Sequence, residues 1–171
     1  MADQFDYVIV GAGTAGCVLA NRLTACGTYS VCLLEAGPPD WNPMIHIPAG
    51  FIKTLVNPSV NWMYQSEASE GTNGRTIPMP RGKVLGGSSS INGLIFNRGQ
   101  KMDFDVWAQK GNRGWSYDDV LPYFRRYENH ENSADASYRG QKGEMTITNL
   151  VWRDPLCEAF IDGAESIGIP R

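Results

Sequence analysis

Tyr7-Val8-Ile9-Val10-Gly11-Ala12-Gly13-Thr14-Ala15-Gly16 is the stretch that decides the fold of this chain. An apolar, mainly β-branched run predicts a strand, and glycines spaced G-x-G-x-x-G open a helix directly behind it. Gly11 permits a sharp turn, Gly13 has no side chain to hold the backbone away from a pyrophosphate, and Gly16 lets the helix pack close to the strand. Free N–H groups at the helix start then suit an anion. A second apolar run, Val31-Cys32-Leu33-Leu34, ends at Glu35, 19 positions after Gly16. That is close to the spacing of about 20 residues for an acid that hydrogen-bonds an adenosine ribose, and an acid there disfavours a 2′-phosphate. Strand, turn, helix, strand and acid in register predict an α/β unit of Rossmann-like type over residues 5–35, with Val18, Leu19 and Leu23 turned toward the sheet.

Composition narrows the function classes. The chain has 171 residues, enough for one ordinary domain with a core, and a net charge of −3. An acidic balance without a Lys/Arg cluster argues against nucleic acid as the main partner. The four cysteines show no C-x-x-C spacing and read as small apolar residues in a reducing compartment. The N-terminus carries Asp3 and Asp6 rather than a basic stretch, so neither a signal peptide nor a membrane span is expected. The expected location is cytoplasmic, either free or peripheral at the inner face of the membrane.

Residues 36–80 are rich in Pro, Gly and Asn and predict a long irregular covering segment, with Trp41, Phe51, Trp62 and Tyr64 interspersed. Trp62 and Tyr64 read as packing anchors before ligand contacts. Asp103–Lys110 predicts a short helix ended by Gly111. Ser116-Tyr117-Asp118-Asp119 predicts a capped helix start that Pro122 restarts or kinks. Residues 129–143 read as loop, Met145–Thr148 as a strand, and Asp154-Pro155 opens a last helix with Leu156, Ala159, Phe160, Ala164 and Ile167 on one face. The expected organisation is a nucleotide-binding region over 1–150 and the start of a following region over 151–171.

A second glycine- and serine-rich stretch runs Arg81-Gly82-Lys83-Val84-Leu85-Gly86-Gly87-Ser88-Ser89-Ser90-Ile91-Asn92-Gly93-Leu94-Ile95-Phe96-Asn97-Arg98-Gly99. Adjacent glycines let backbone approach a flat or charged ligand, with hydroxyl and N–H donors at hand. The apolar spacing of Val84-Leu85 and Ile91…Leu94-Ile95-Phe96 ties the stretch to a core, which a flexible linker would lack. The whole segment resembles the signature of the glucose-methanol-choline (GMC) oxidoreductases. The opening Asp6–Leu23, Leu34-Glu35-Ala36-Gly37, Asp105-x-Trp107, Gly114-Trp115-Ser116-Tyr117 and Val120-Leu121-Pro122-Tyr123-Phe124 are similar to that family as well, closest to its choline-dehydrogenase-like and alcohol-dehydrogenase members.

The resemblance implies an FAD-binding domain of Rossmann type, incomplete over these residues, with most of the α+β substrate domain outside them. It implies FAD held by Gly11, Gly13, Thr14, Ala15 and Gly16 at the pyrophosphate and by Glu35 and Ala36 at the adenosine ribose. Arg81, Val84, Gly86, Gly87 and Ser88, with Asn92, Gly93, Leu94 and Ile95, would line the remaining phosphate path and the isoalloxazine. Ile91 stands where some members carry a flavin-linked histidine, which implies non-covalent FAD. The implied reaction is oxidation of a primary alcohol to an aldehyde, with oxygen, a quinone or another electron acceptor as second partner; a homo-oligomer is compatible with this. Hydroxynitrile lyases, fatty-acid photodecarboxylases and a non-catalytic nucleotide-binding module are the competing classes. The base such an oxidation needs is normally a histidine. His46 and His130 fall in no catalytic motif of the family, and no residue here is assigned as catalytic or as a metal ligand. The chain therefore reads as the N-terminal portion of a longer flavoenzyme, poor at binding FAD by itself and without turnover.

Overall fold

The computed structural model describes residues 4–131 and 135–170. They form two compact units, Met1–Ile95 and Phe96–Arg171. The first unit opens with β1 (Tyr7–Val10), α1 (Thr14–Thr24) and β2 (Val31–Leu34). β1 and β2 pair in parallel, Tyr7 opposite Val31 and Val10 opposite Leu34. A polar clasp fixes this register where the strands begin. The Asp6 carboxylate accepts the Ser30 N–H and hydroxyl, each at 2.7 Å, and the Asp6 N–H donates to Ser30 Oγ at 3.1 Å. These bonds hold the Asp6 carboxyl below its ordinary range.

Among the described residues this parallel sheet has these two strands, and much of its apolar surface faces outward. Val8 is 59% exposed and Val10 84%. Val18 and Leu19, expected to face the sheet, are also exposed; of that predicted stripe only Leu23 is partly covered.

The covering segment is more ordered than its composition suggests. It folds into α2 (Pro43–His46), a 3₁₀ turn at Pro48–Gly50 and α3 (Phe51–Thr54), then a short hairpin of β3 (Tyr64–Gln65) and β4 (Pro78–Met79). Asn42 caps α2 by accepting the Met44 N–H at 3.0 Å, with Pro43 at the first helical position. The core of the unit lies below this segment: Val60, Val84 and Ile91 are buried together, with Ile45 and Leu55 against them. Trp62 and Tyr64 stack at 5.9 Å, and the Lys83 ammonium sits 4.8 Å from the Trp62 ring centre.

The second unit contains α4 (Lys101–Gln109), α5 (Tyr117–Tyr127), β5 (Glu128–His130), β6 (Met145–Ile147) and α6 (Pro155–Ser166). Phe104 anchors it, with Trp107 and Phe124 edge-on at 5.5 and 5.4 Å and Tyr117 at 6.1 Å. Burial raises the Tyr117 hydroxyl pKa. Ser116 and Asp119 cap α5 reciprocally, as the sequence suggests.

Two expectations are corrected in this unit. Pro122 sits inside α5 rather than restarting it. The carbonyl it leaves without an intrahelical donor is that of Asp118, whose side chain is 80% exposed, so water can take it. Residues 128–130 are a strand paired in parallel with β6, not loop. α6 begins at the predicted cap, Asp154, but Leu156 and Phe160 on its apolar face are each 79% exposed.

A buried ionic clasp explains why β5 forms in so polar a stretch. Glu128 has a fully buried side chain and accepts from the Arg98 guanidinium, from Arg139 at 2.9 Å and from the Gly140 N–H at 3.1 Å. Arg98 Nη1 also donates to the Tyr138 carbonyl at 2.6 Å. Its Nε lacks a hydrogen-bond partner among the described residues, and the guanidinium is flanked by the Phe124 and Tyr138 rings at 5.2 and 4.8 Å. Removing one member of such a group leaves a charge buried without compensation.

Candidate functional site

The turn between β1 and α1 is built as the glycine spacing requires. Gly11 has a φ of +96°, and its N–H extends the parallel ladder by donating to Leu34 at 2.7 Å. Gly11 therefore shapes the turn while its own N–H is engaged within the fold. A Cβ on Gly16 would meet the Gly11 carbonyl oxygen at 1.9 Å and the Ile9 side chain at 3.3 Å, so this glycine brings helix and strand together.

Gly13 differs from both. Its backbone, φ −80° and ψ −169°, is open to any residue, and a Cβ there would find its nearest neighbour at 3.9 Å. Nothing among the described residues requires glycine at this position, and the space before it is open. Gly13 caps α1, and the first four N–H groups of a helix, here those of Gly13, Thr14, Ala15 and Gly16, have no intrahelical acceptor. Such N–H groups, with the positive end of the helix dipole behind them, are of the kind that suits an anion.

Glu35 follows β2 and is locked in place. One carboxylate oxygen accepts the Ala12 N–H at 2.8 Å and the other the Gly37 N–H at 2.9 Å. A carboxylate has about four acceptor positions, so roughly two remain for hydroxyl groups of a ligand. Ala36, named with Glu35 for the ribose, is exposed beside it.

The second glycine-rich stretch lies directly on this turn. The Gly86 N–H donates to the Ala12 carbonyl at 2.8 Å, and the Leu85 N–H to Pro38 at 3.0 Å. Gly87 takes a φ of +59°, and a Cβ on it would stand 2.7 Å from Gly13 Cα. The two motifs, separated by some 70 residues of chain, thus meet backbone to backbone.

The serines divide their work. Ser89 and Ser90 donate their hydroxyls to the Gly86 and Leu85 carbonyls at 2.5 and 2.7 Å and so stiffen the loop. Ser88 Oγ accepts the Gly82 N–H at 3.1 Å, leaving its O–H without an acceptor among the described residues. Ser88, the serine named for the phosphate path, is thus the one of the three whose O–H is not taken up by the loop among the described residues.

The remaining predicted residues are placed unequally. Val84 is wholly buried in the core, so its side chain supports the site from beneath. Arg81 is exposed and tied by its backbone. Asn92 is exposed, accepts the Leu94 N–H at 2.9 Å and holds Leu94 at a φ of +60°, a conformation a leucine seldom adopts. Gly93 passes over the Phe51 ring, while Leu94 and Ile95 are 62% and 89% exposed. Asn92 and Leu94 border a cavity of about 230 Å³ together with Met44, His46, Phe51 and Ser89.

His46 is thus closer to the candidate site than its sequence context indicated. Its Nε2 donates to the Asp40 carbonyl at 2.6 Å. His130 lies in β5, its N–H donating to Gly140 at 2.9 Å.

Asn61 is the residue the sequence reading missed. It is 2% exposed; its Nδ2 donates to Leu55 at 2.7 Å, and its Oδ1 accepts the Met63 and Arg81 N–H groups, each at 3.0 Å. This one amide joins the covering segment to the start of the second motif. Its only trace in the sequence is a polar residue beside the apolar Val60. No group of His, Cys, Asp and Glu able to hold a metal occurs among the described residues.

Comparison with known proteins agrees with this geometry. Residues 5–171 match the family described as GMC oxidoreductase. The chain is 45% identical over 173 aligned positions to an oxygen-dependent choline dehydrogenase of Vibrio vulnificus, covering all of this chain and 31% of the relative. The structure is similar to pyridoxine 4-oxidase from Mesorbium loti, with TM-score 0.88 and 37% identity over 98% of this chain and 33% of that one. It is also similar to formate oxidase of Aspergillus oryzae, a structure solved to follow FAD modification, with TM-score 0.85 and 32% identity over 97% and 31%. The chain spans about a third of the length of these relatives. It belongs to the GMC oxidoreductase family, and the two glycine-rich motifs lie in that family's FAD-binding N-terminal domain.

Proposed function

We propose that this chain is the nucleotide-cradling part of a flavoprotein that oxidises a primary alcohol to an aldehyde. The observation that supports the reading is the meeting of Gly13 and Gly87, which brings the backbone of the second motif onto the turn that opens α1. In this reading Gly13, Thr14, Ala15 and Gly16 hold the pyrophosphate and Glu35 the adenosine ribose. Gly86, Gly87 and Ser88 hold the phosphate path. Asn92, Gly93, Leu94 and Ile95 border the ring. When bound, FAD supplies a hydride acceptor.

The chain's own contribution is to bind, orient and exclude water. The bonds to Glu35 fix its carboxylate before any ligand arrives, which lowers the ordering cost of binding. The covering segment, fastened by Asn61, closes one side of the site. The residue at the position of the covalent link in some members is Ile91, buried in the core, which supports non-covalent FAD. Relatives named for choline and pyridoxine, both of which carry a primary alcohol group, support the substrate class. The base that takes the hydroxyl proton, and the partner that reoxidises the flavin, are assigned to residues outside this stretch.

The test is anaerobic titration of the natural, flavin-loaded polypeptide with primary alcohols. Bleaching of the flavin absorbance with stoichiometric aldehyde is expected. Unchanged absorbance across choline, aliphatic and aromatic alcohols would refute the reaction class. Release of the flavin on denaturation without proteolysis checks that it is not covalently attached.

A further inference from the structure

The second unit holds a feature that flavin binding does not use. A cleft of about 460 Å³ is lined by Arg125, Arg126, Arg139 and Lys142, with Pro122 and Gly140 among its walls and no carboxylate in its lining. Four cations converge here although the chain as a whole carries a net charge of −3. We propose that this cleft is a binding site for a phosphate-bearing anion, either a free phosphate ester or the headgroup of an anionic lipid.

Three observations support the assignment. First, the cations come from two separate segments, and the fold brings them together. Arg125 and Arg126 end α5, where they also oppose the helix dipole, but the dipole does not account for Arg139 and Lys142 arriving from another part of the chain. Second, the convergence is rigid. A Cβ on Gly140 would stand 2.0 Å from the Arg125 carbonyl oxygen and one on Gly143 2.0 Å from the Tyr127 carbonyl carbon, so the loop carrying Arg139 and Lys142 lies directly on the α5 backbone. The Gly140 N–H and the Arg139 guanidinium are held by buried Glu128, as described above.

Third, the charge is in excess. Glu128 is shared between Arg98 and Arg139, and the Asp135 carboxyl is held below its ordinary range chiefly by Ser137, with Arg125 the smallest contributor. The lining itself carries four cations and no carboxylate. Three guanidinium forks and an ammonium suit tetrahedral oxyanions. The cleft volume lies within the range of about 300–1,000 Å³ typical of small-molecule sites.

The experiment uses the natural polypeptide saturated with FAD, so that the nucleotide site cannot take the probe. Inorganic phosphate and pyrophosphate are titrated calorimetrically at constant ionic strength. Separately, the protein is sedimented with vesicles of phosphatidylglycerol in phosphatidylcholine and of phosphatidylcholine alone. Binding in at least one arm is expected, at least tenfold weaker in R126Q/K142Q and retained in the charge-conserving R126K/K142R, with flavin content unchanged. Phosphate binding identifies a free ester, and binding to the anionic vesicles alone identifies a headgroup. Both side chains belong to exposed residues, and the single substitutions R126Q and K142Q repeat the comparison should the double variant fold poorly. Blank results in both arms, or binding that survives charge removal, would overturn the proposal without touching the flavin reading.

Discussion

Gly13 and Gly87 face one another, yet alanine at the two positions is expected to fail for different reasons. At Gly87 the added methyl would lie 2.7 Å from Gly13 Cα in a residue already at φ +59°. Left-handed backbone costs a non-glycine residue about 1 kcal/mol and overpacking another ~1–3 kcal/mol, so G87A should lose about 2–4 kcal/mol of folding stability. At Gly13 the methyl meets no atom closer than 3.9 Å and the backbone is ordinary. Only the weaker capping preference of alanine remains, roughly 1 kcal/mol or less. The methyl does occupy the space assigned to the pyrophosphate. Overpacking against the ligand and one strained charge-assisted hydrogen bond together amount to about 3 kcal/mol, roughly a hundredfold in affinity. The assay is fluorescence titration of the apo-protein with FAD, set beside chemical denaturation of the same apo-protein. G13A should lose at most about 1 kcal/mol of stability together with its FAD affinity, whereas G87A should lose about 2–4 kcal/mol as well as affinity. A G13A protein that binds FAD like the wild type, or that unfolds as readily as G87A, would refute the assignment of the space before Gly13.

Other residues give independent tests. Glu35→Gln replaces two acceptor oxygens with one acceptor and one amide donor, so either the Ala12 or the Gly37 N–H is left facing another donor. A loss of about 1–3 kcal/mol in apo-protein stability is expected by denaturation, together with weaker FAD binding. Glu128→Gln removes the charge that holds Arg98 and Arg139 and should cost about 3–5 kcal/mol; a loss below about 1 kcal/mol would show the clasp to be dispensable. The Asp6 carboxyl is held below its ordinary range by Ser30, so its contribution is complete above the unfolded carboxyl pKa and disappears as the pH falls through the lower folded value. Asp6→Asn should therefore destabilise at neutral pH, with the difference from wild type shrinking under acid. Midpoints measured from pH 6 to pH 3 decide this, and a constant difference would contradict it.

The parts of this structure that were legible in the sequence are those that glycine or a cap dictates locally. The turn at Gly11, the capping pair Ser116 and Asp119, the helix start at Asp154 and the flavin signature itself are short-range instructions, each readable within a few residues. What could not be read depends on partners distant in the chain. Glu128 looks like one of many surface acids until Arg98, 30 residues earlier, and Arg139, 11 later, close around it, and β5 forms because they do. Asn61 reads as loop polarity, yet its buried amide joins Leu55 to Arg81. The serines illustrate the same limit within the motif: sequence supplies three hydroxyls, and only folding decides that two are consumed by the loop's own carbonyls. Glycine is ambiguous in the same way. Gly87 is required by contacts within the fold and Gly13 is not, so a methyl at Gly13 tests the proposed ligand space and a methyl at Gly87 tests the packing of the two motifs.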